Sequence, residues 1–130
     1  GKSLIIGNSG SSKIFKVDPT TGHSDEIIVS PPLAGLLDGS FLDAIVMYDG
    51  ALFILSPGET PDLDTVQVVV LADDLLTGTL VGNIVDSDMD GVASGAMHGD
   101  SLYVNNARYL DFPGLPTEYW VTKLSIYDVE

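Results

Sequence analysis

The sequence predicts an all-β fold, and three observations support that prediction. Its apolar runs are short and rich in Val, Ile, Leu and Tyr, as expected for short strands around one core. Turn-forming pairs such as Thr21-Gly22 and Asp49-Gly50 separate these runs, and glycine occurs 14 times. No long stretch keeps the apolar spacing of three to four positions that an amphipathic helix requires. We therefore expect many short antiparallel strands.

The predicted strands follow one another along the whole chain. They are expected around residues 4–6, 13–18, 26–29, 45–47, 52–55, 65–72, 80–86, 102–104 and 118–128. Asp18-Pro19 and Gly99-Asp100 mark further turns between them. The segment 32–37 could form a single helical turn, and it is interpreted as a loop with some 3₁₀ character.

A glycine turn recurs immediately before a strand at three places. Leu4, Leu52 and Leu102 follow these turns at intervals of 48 and 50 residues. A period of about 40–50 residues with four strands per unit is typical of β-propeller blades. The predicted strands would make about two and a half to three four-stranded antiparallel blades, with units at residues 1–37, 38–87 and 88–130. We therefore expect one partial propeller domain in 130 residues.

Composition excludes several classes of function. The chain has 5 basic and 19 acidic residues and a net charge of −14, so it would repel nucleic acids and anionic membrane surfaces. No apolar run approaches the roughly 18 residues that a transmembrane helix needs. Cysteine is absent, which excludes disulfides and thiolate sites but leaves the compartment open, secreted or cytoplasmic.

Three segments carry a family resemblance. Residues 3–22 end in Val-Asp-Pro-Thr-Thr-Gly, residues 42–55 place an Asp at the head of a strand, and residues 102–124 contain Tyr-Val-Asn-Asn-Ala-Arg. In this order they resemble the gluconolactonase and senescence-marker-like (regucalcin-like) family of six-bladed β-propellers. The resemblance implies that the chain is the C-terminal half of such a propeller. It also implies metal-dependent hydrolysis of lactones or related esters.

The same resemblance implies a divalent metal site at the mouth of the central channel. Of the family's ligands only Asp43 has a counterpart here, and it precedes Ala44 where the family has Gly. Asp43 is then expected to act as a metal ligand and general base, with calcium as the first metal and zinc as the alternative. The other ligands would precede Gly1, so this chain alone is not expected to assemble the site. The alternative for Asp43 is a turn residue at a strand end.

An acidic segment supplies a second candidate metal site. Asp86, Asp88 and Asp90, followed by Gly91, match the first half of a calcium loop, because alternating carboxylates and a Gly suit the coordination shell of Ca²⁺. The twelfth position would be Met97 rather than a bidentate Glu, which disfavours an EF-hand. The alternatives are weak calcium binding and an acidic, solvated loop between blades.

Polar and aromatic residues near the C-terminus form a candidate substrate-binding group. Asn106 and Arg108 could bind a carboxylate or hydroxyl groups of a substrate, although Arg108 could instead anchor a loop to one of the many carboxylates. Four nearby aromatic residues could line a sugar or lactone site or pack in the interior: Tyr109, Phe112, Tyr119 and Trp120.

Two functions from different classes follow. The first is a metal-dependent hydrolase of lactones or esters, in which the metal polarises a carbonyl or activates water. The second is a non-catalytic propeller that acts as a binding or interaction module, because propellers host both. A strictosidine-synthase-like propeller is a weaker third possibility. The expected partners are a small molecule and either a missing N-terminal half or a second copy, because an incomplete propeller would leave open sheet faces and edges.

Overall fold

The described residues of the computed structural model, 3–33, 41–108 and 118–130, form an all-β structure. They contain eleven strands in three sheets and no α-helix, which confirms the predicted fold class. In the described ranges no helix is long and apolar enough to cross a membrane. The predicted turn at 32–37 lies largely outside the described residues.

The first sheet is an antiparallel meander that includes the Val-Asp-Pro-Thr-Thr-Gly segment. It contains β1 (Leu4–Asn8), β2 (Lys13–Val17) and β3 (Ser24–Glu26), in that order. A 3₁₀ turn at Ser9–Ser11 joins β1 to β2, and the Asn8 side chain accepts the Ser11 N–H at 3.1 Å.

The second sheet has five strands and contains the unit predicted around Leu52. Its strands are β4 (Ile28–Ser30), β5 (Ala44–Tyr48), β6 (Ala51–Ser56), β7 (Thr65–Leu71) and β8 (Thr77–Ile84), in the spatial order β4-β8-β7-β6-β5. The four strands from β5 to β8 pair antiparallel. Asp49 and Gly50 both have positive φ in the tight β5–β6 turn, as a type I′ hairpin turn requires. This part of the strand prediction is confirmed.

The strand predicted at 26–29 is divided between two sheets. Ile27 separates β3 from β4 and is buried, and its N–H donates to the Ile14 carbonyl at 2.9 Å. Immediately afterwards β4 leaves the first sheet and pairs with β8 in parallel. The expectation that every neighbouring pair is antiparallel is therefore wrong at this edge, because the chain crosses directly from one sheet to the next.

The third sheet is again an antiparallel meander. It contains β9 (Val92–His98), β10 (Ser101–Asn106) and β11 (Val121–Ser125), with β10 in the centre. Beyond β11 the chain returns to the second sheet, where Glu130 and Asn83 exchange two backbone hydrogen bonds of 2.9 and 3.0 Å. The edge of β8 is thus covered by β4 along one part and by the end of the chain along another.

The second sheet is the middle layer of the molecule, with a core on each face. On β6, Phe53 and Leu55 pack towards the third sheet, whereas Leu52 and Ile54 pack towards the first. Because both faces are buried, this strand has no alternation of polar and apolar residues. The core between the second and third sheets includes Met89, from the acidic segment.

Candidate functional site

Asp43 lies directly before β5 and is exposed. Its N–H donates to the Leu55 carbonyl at 2.9 Å, which extends the β5–β6 ladder by one residue. The preceding Leu42 is buried in the core between the first and second sheets. The backbone at Asp43 is therefore fixed by the sheet, while its side chain lies at the surface at the beginning of an edge strand.

The acidic segment 86–91 is a folded turn whose carboxylates have different surroundings. One Asp86 oxygen accepts the Asp88 N–H at 2.8 Å, and the Asp86 carbonyl accepts the Met89 N–H at 3.1 Å. Met89 is buried, which pins the segment to the core. The Asp90 carboxylate pairs with Arg108. Among the described residues, no three acidic or histidine side chains are grouped closely enough to hold a metal ion.

Asp64 is a central residue of this region that the sequence interpretation missed. It is 3% exposed and precedes β7. One of its oxygens accepts the Gly58 N–H at 2.9 Å, and the other accepts the N–H groups of Gly91 at 2.5 Å and Val92 at 3.2 Å. The carboxylate therefore ties the β6–β7 connection to the beginning of β9. An Asp just before a strongly apolar strand was the available signal, but two of its three partners, Gly91 and Val92, lie 27 and 28 residues away in the chain.

Asn106, a predicted substrate-binding residue, is buried and bonded within the protein. Its Oδ1 accepts the Asp90 N–H at 2.8 Å, and its Nδ2 donates to the Thr122 hydroxyl at 2.9 Å and the Trp120 carbonyl at 3.3 Å. Only 1% of the residue is exposed. The side chain thus joins β10, β11 and the acidic segment.

Arg108, the other predicted binding residue, contacts both a carboxylate and an indole ring. Its Nε donates to an Asp90 oxygen at 2.8 Å, and its guanidinium carbon lies 5.1 Å from the centre of the Trp120 ring. A further guanidinium N–H donates to the Glu118 carbonyl at 3.2 Å. The structure therefore brings the predicted residues Asp90, Asn106 and Arg108 together beside Trp120.

Trp120 is held from two directions at the edge of a pocket. Its indole N–H donates to the Asp88 carbonyl at 2.8 Å, while Arg108 covers the ring. The pocket has a volume of about 350 Å³ and is lined by Asn105, Asn106, Ala107, Tyr119, Trp120 and Val121. Tyr119 is 69% exposed and Trp120 37%. The other two aromatic residues of the predicted group, Tyr109 and Phe112, lie outside the described residues.

A second pocket has an acidic wall. Its volume is about 590 Å³, and it is lined by Pro61, Asp62, Asp64, Val85, Asp86 and Ser87. Both oxygens of Asp64 already accept backbone N–H groups. Asp62 and Asp86 are exposed carboxylates beside this space.

Comparison with known proteins gives no match to a family model, a curated protein or a solved structure.

Proposed function

We propose that the chain is part of a β-propeller and acts as a non-catalytic binding module that takes a small molecule in the pocket beside Trp120. The observation that carries this proposal is the fixed indole at the pocket edge, held by the Asp88 carbonyl and by Arg108. Ligand pockets commonly combine aromatic surface with a few oriented polar groups. In this proposal Arg108 and Asn106 do not bind the ligand but hold Trp120 in place, through its ring and its carbonyl.

The stacking of the sheets supports the propeller part of the proposal. The middle sheet packs face to face with a sheet on each side, as blades do, and β5 lies beside both β9 and β1. The parallel β4–β8 pair departs from a simple four-stranded blade. An experimental structure of a longer chain tests the proposal: β5 and β9, the first strands of their units, should line a central channel, whereas a closed three-layer stack would contradict it.

The lining of the Trp120 pocket favours binding over catalysis. Its described residues include neither a carboxylate nor an imidazole, the groups that most often act as general acids and bases. The Asp90 carboxylate, behind Asn106 and Arg108, is paired with Arg108. Asn106 uses its amide within the protein, so it is not offered to a substrate.

A ligand-observed NMR screen tests the binding function. The screen contains neutral saccharides, lactones, amino acids and quaternary ammonium salts, and it compares the natural chain with Tyr119→Ala. Loss of one exposed aromatic contact should weaken a pocket ligand by about fivefold, or about 1 kcal/mol. Tyr127→Ala is the matched control, because Tyr127 is 73% exposed and does not line the pocket. If no compound distinguishes the two variants, the proposed pocket function is wrong.

The second candidate is the metal-dependent hydrolase of lactones or esters. One observation in its favour is the exposed carboxylate of Asp43 directly before β5, which would be an inner strand of the propeller. The other is the pair of exposed carboxylates, Asp62 and Asp86, that line the larger pocket. Oxygen ligands of this kind suit calcium, and zinc is the alternative. A bound metal would supply a Lewis acid for the carbonyl or an activated water. Asp43 would contribute one ligand, and the others would come from a partner half.

Metal titration of the assembled propeller distinguishes this candidate from the first. Asp43→Asn should weaken metal binding by at least about tenfold, the loss typical of positions that support a metal. Asp49→Asn is the control, because Asp49 lies in the turn at the other end of β5 and Asn tolerates its positive φ. Equal affinities of the two variants would remove Asp43 from the site. Titration of the isolated chain with calcium tests the segment 86–91 separately.

A further inference from the structure

We propose that the ligand of the Trp120 pocket is a neutral saccharide, whose ring stacks on the aromatic wall while its oxygens bind the Asn105 amide. This inference rests on the proposed binding function and names the class of ligand. Three features carry it: the rigid indole, the unused donors of Asn105, and the charges around the pocket.

The Trp120 ring of the aromatic wall is held in place before any ligand arrives. The Trp120 ring is fixed at its N–H by the Asp88 carbonyl at 2.8 Å and is covered by the Arg108 guanidinium at 5.1 Å. Neighbouring Tyr119 adds a second, largely exposed ring. A side chain that is already ordered loses little conformational entropy when a ligand binds. Weak stacking contacts, such as those between an aromatic ring and the C–H face of a pyranose, can then contribute to the free energy of binding.

Asn105 presents hydrogen-bond donors beside this wall. Its Oδ1 accepts both the backbone N–H of Ser94 at 2.7 Å and the Ser94 hydroxyl at 2.8 Å. Since a backbone N–H can only donate, this contact determines which end of the amide is oxygen. The Nδ2 group therefore faces away from Ser94, and it has no hydrogen-bond partner in the described part of the chain. Two oriented N–H donors suit the hydroxyl and ring oxygens of a saccharide.

Charge disfavours anionic and quaternary ammonium ligands. An anionic ligand would approach a protein with a net charge of −14, which opposes its binding. A quaternary ammonium ion would share the Trp120 ring with the positive charge of Arg108, which lies 5.1 Å from the ring centre. It would also meet the N–H donors of Asn105 rather than acceptors. A neutral ligand with an apolar ring face and several oxygens avoids all of these conflicts.

The single tryptophan makes the test direct, because Trp120 is the only Trp of the chain. The natural chain is titrated with the methyl glycosides of glucose, galactose, mannose and N-acetylglucosamine while the Trp fluorescence is recorded. At least one glycoside should shift the emission saturably. Asn105→Asp keeps the acceptor for Ser94 but removes the Nδ2 donors, and it should weaken binding about tenfold or more. Tyr119→Ala should weaken it about fivefold, and Tyr127→Ala should not change it.

The outcomes separate this inference from the proposed function. If tetramethylammonium or a lactone binds and Tyr119→Ala weakens it, while no glycoside binds, the saccharide assignment is overturned and the pocket function stands. If a glycoside binds Asn105→Asp and Tyr119→Ala as tightly as it binds the natural chain, the assigned site is overturned. If no compound of any class binds at the pocket, both proposals fail.

Discussion

Asp64 joins two distant loops through three backbone hydrogen bonds, and its replacement provides a test at the scale of single residues. Asp64→Asn keeps the shape of the side chain but replaces one acceptor oxygen by an N–H₂ group, which leaves a buried backbone N–H without a partner. The free energy of unfolding should fall by about 1–3 kcal/mol. Urea unfolding followed by Trp fluorescence measures this loss.

The neighbouring Asp62 is the control for that experiment. Asp62 is exposed, so Asp62→Asn should change the free energy of unfolding by no more than about 0.5 kcal/mol. Equal stabilities of the two variants would show that the Asp64 contacts do not contribute to the fold.

Asp18 gives a pH-dependent prediction in the turn between β2 and β3. The backbone N–H of Thr20 donates to the Asp18 carboxylate at 2.7 Å and, with help from Thr21, holds the Asp18 pKa below its ordinary value. The folded turn therefore gains stability from the ionised carboxylate above the ordinary Asp pKa. This contribution is lost as the pH falls through the lower, folded pKa.

An NMR titration of the side-chain carboxyl carbons checks the Asp18 prediction. The Asp18 midpoint should lie below that of an unstructured Asp, and the Thr20 amide proton should shift with the same midpoint. In Asp18→Asn this low-pH shift of Thr20 should disappear. An Asp18 midpoint at or above the ordinary value would contradict the prediction.

At the scale of elements, the crossing from β3 to β4 depends on one buried side chain. Ile27 is 3% exposed and packs in the core between the first and second sheets, whereas Ile28 is 57% exposed. Ile27→Ala should lower the free energy of unfolding by about 2–5 kcal/mol, because it leaves a cavity at the junction.

Ile28→Ala is the matched control at the adjacent position. Both variants keep the two backbone hydrogen bonds of the crossing, Ile27 N–H to Ile14 and Ile28 N–H to Leu76. Ile28→Ala should change stability by no more than about 0.5 kcal/mol, measured by the same denaturant unfolding. A larger loss of stability for Ile28→Ala than for Ile27→Ala would mean that Ile28, and not Ile27, is the buried side chain of the crossing.

At the scale of the whole molecule, the two outer sheets present different open faces. On the first sheet, Leu4 pairs with Val17 and Ile6 with Phe15, and Leu4 and Ile6 are 52% and 46% exposed. On the third sheet, the open face carries polar residues such as Ser94, Asn105 and Lys123. Because an apolar face favours association, we expect the first sheet to be the surface that a further blade or a second copy covers.

Sedimentation over a range of concentrations tests this expectation. The natural chain should associate as its concentration rises, and the double variant Leu4→Thr with Ile6→Thr should reduce this association, because Thr is polar but, as a β-branched residue, still suits a strand. Ala96→Thr, on the open face of the third sheet, should leave it unchanged. A stable monomer of 13.7 kDa for the natural chain would contradict the prediction.

The sequence by itself determined the all-β class, most strand positions and several turns. These features are local: apolar runs of strand length and pairs such as Asp49-Gly50 act over a few residues. It also indicated Asp90, through the alternating carboxylates of a calcium-loop pattern, and Asn106 and Arg108, as amide and charged groups that follow an apolar strand. It did not show that these residues bind one another.

Only the tertiary structure decided which strands share a sheet and which polar groups meet. Ile27 divides one predicted strand between two sheets, since its burial depends on residues far along the chain. Asp64 and Trp120 acquired their roles from partners at sequence separations of 27 and 32. Hydrogen bonds and packing act over short distances in space, whereas the sequence pattern reports only neighbours along the chain.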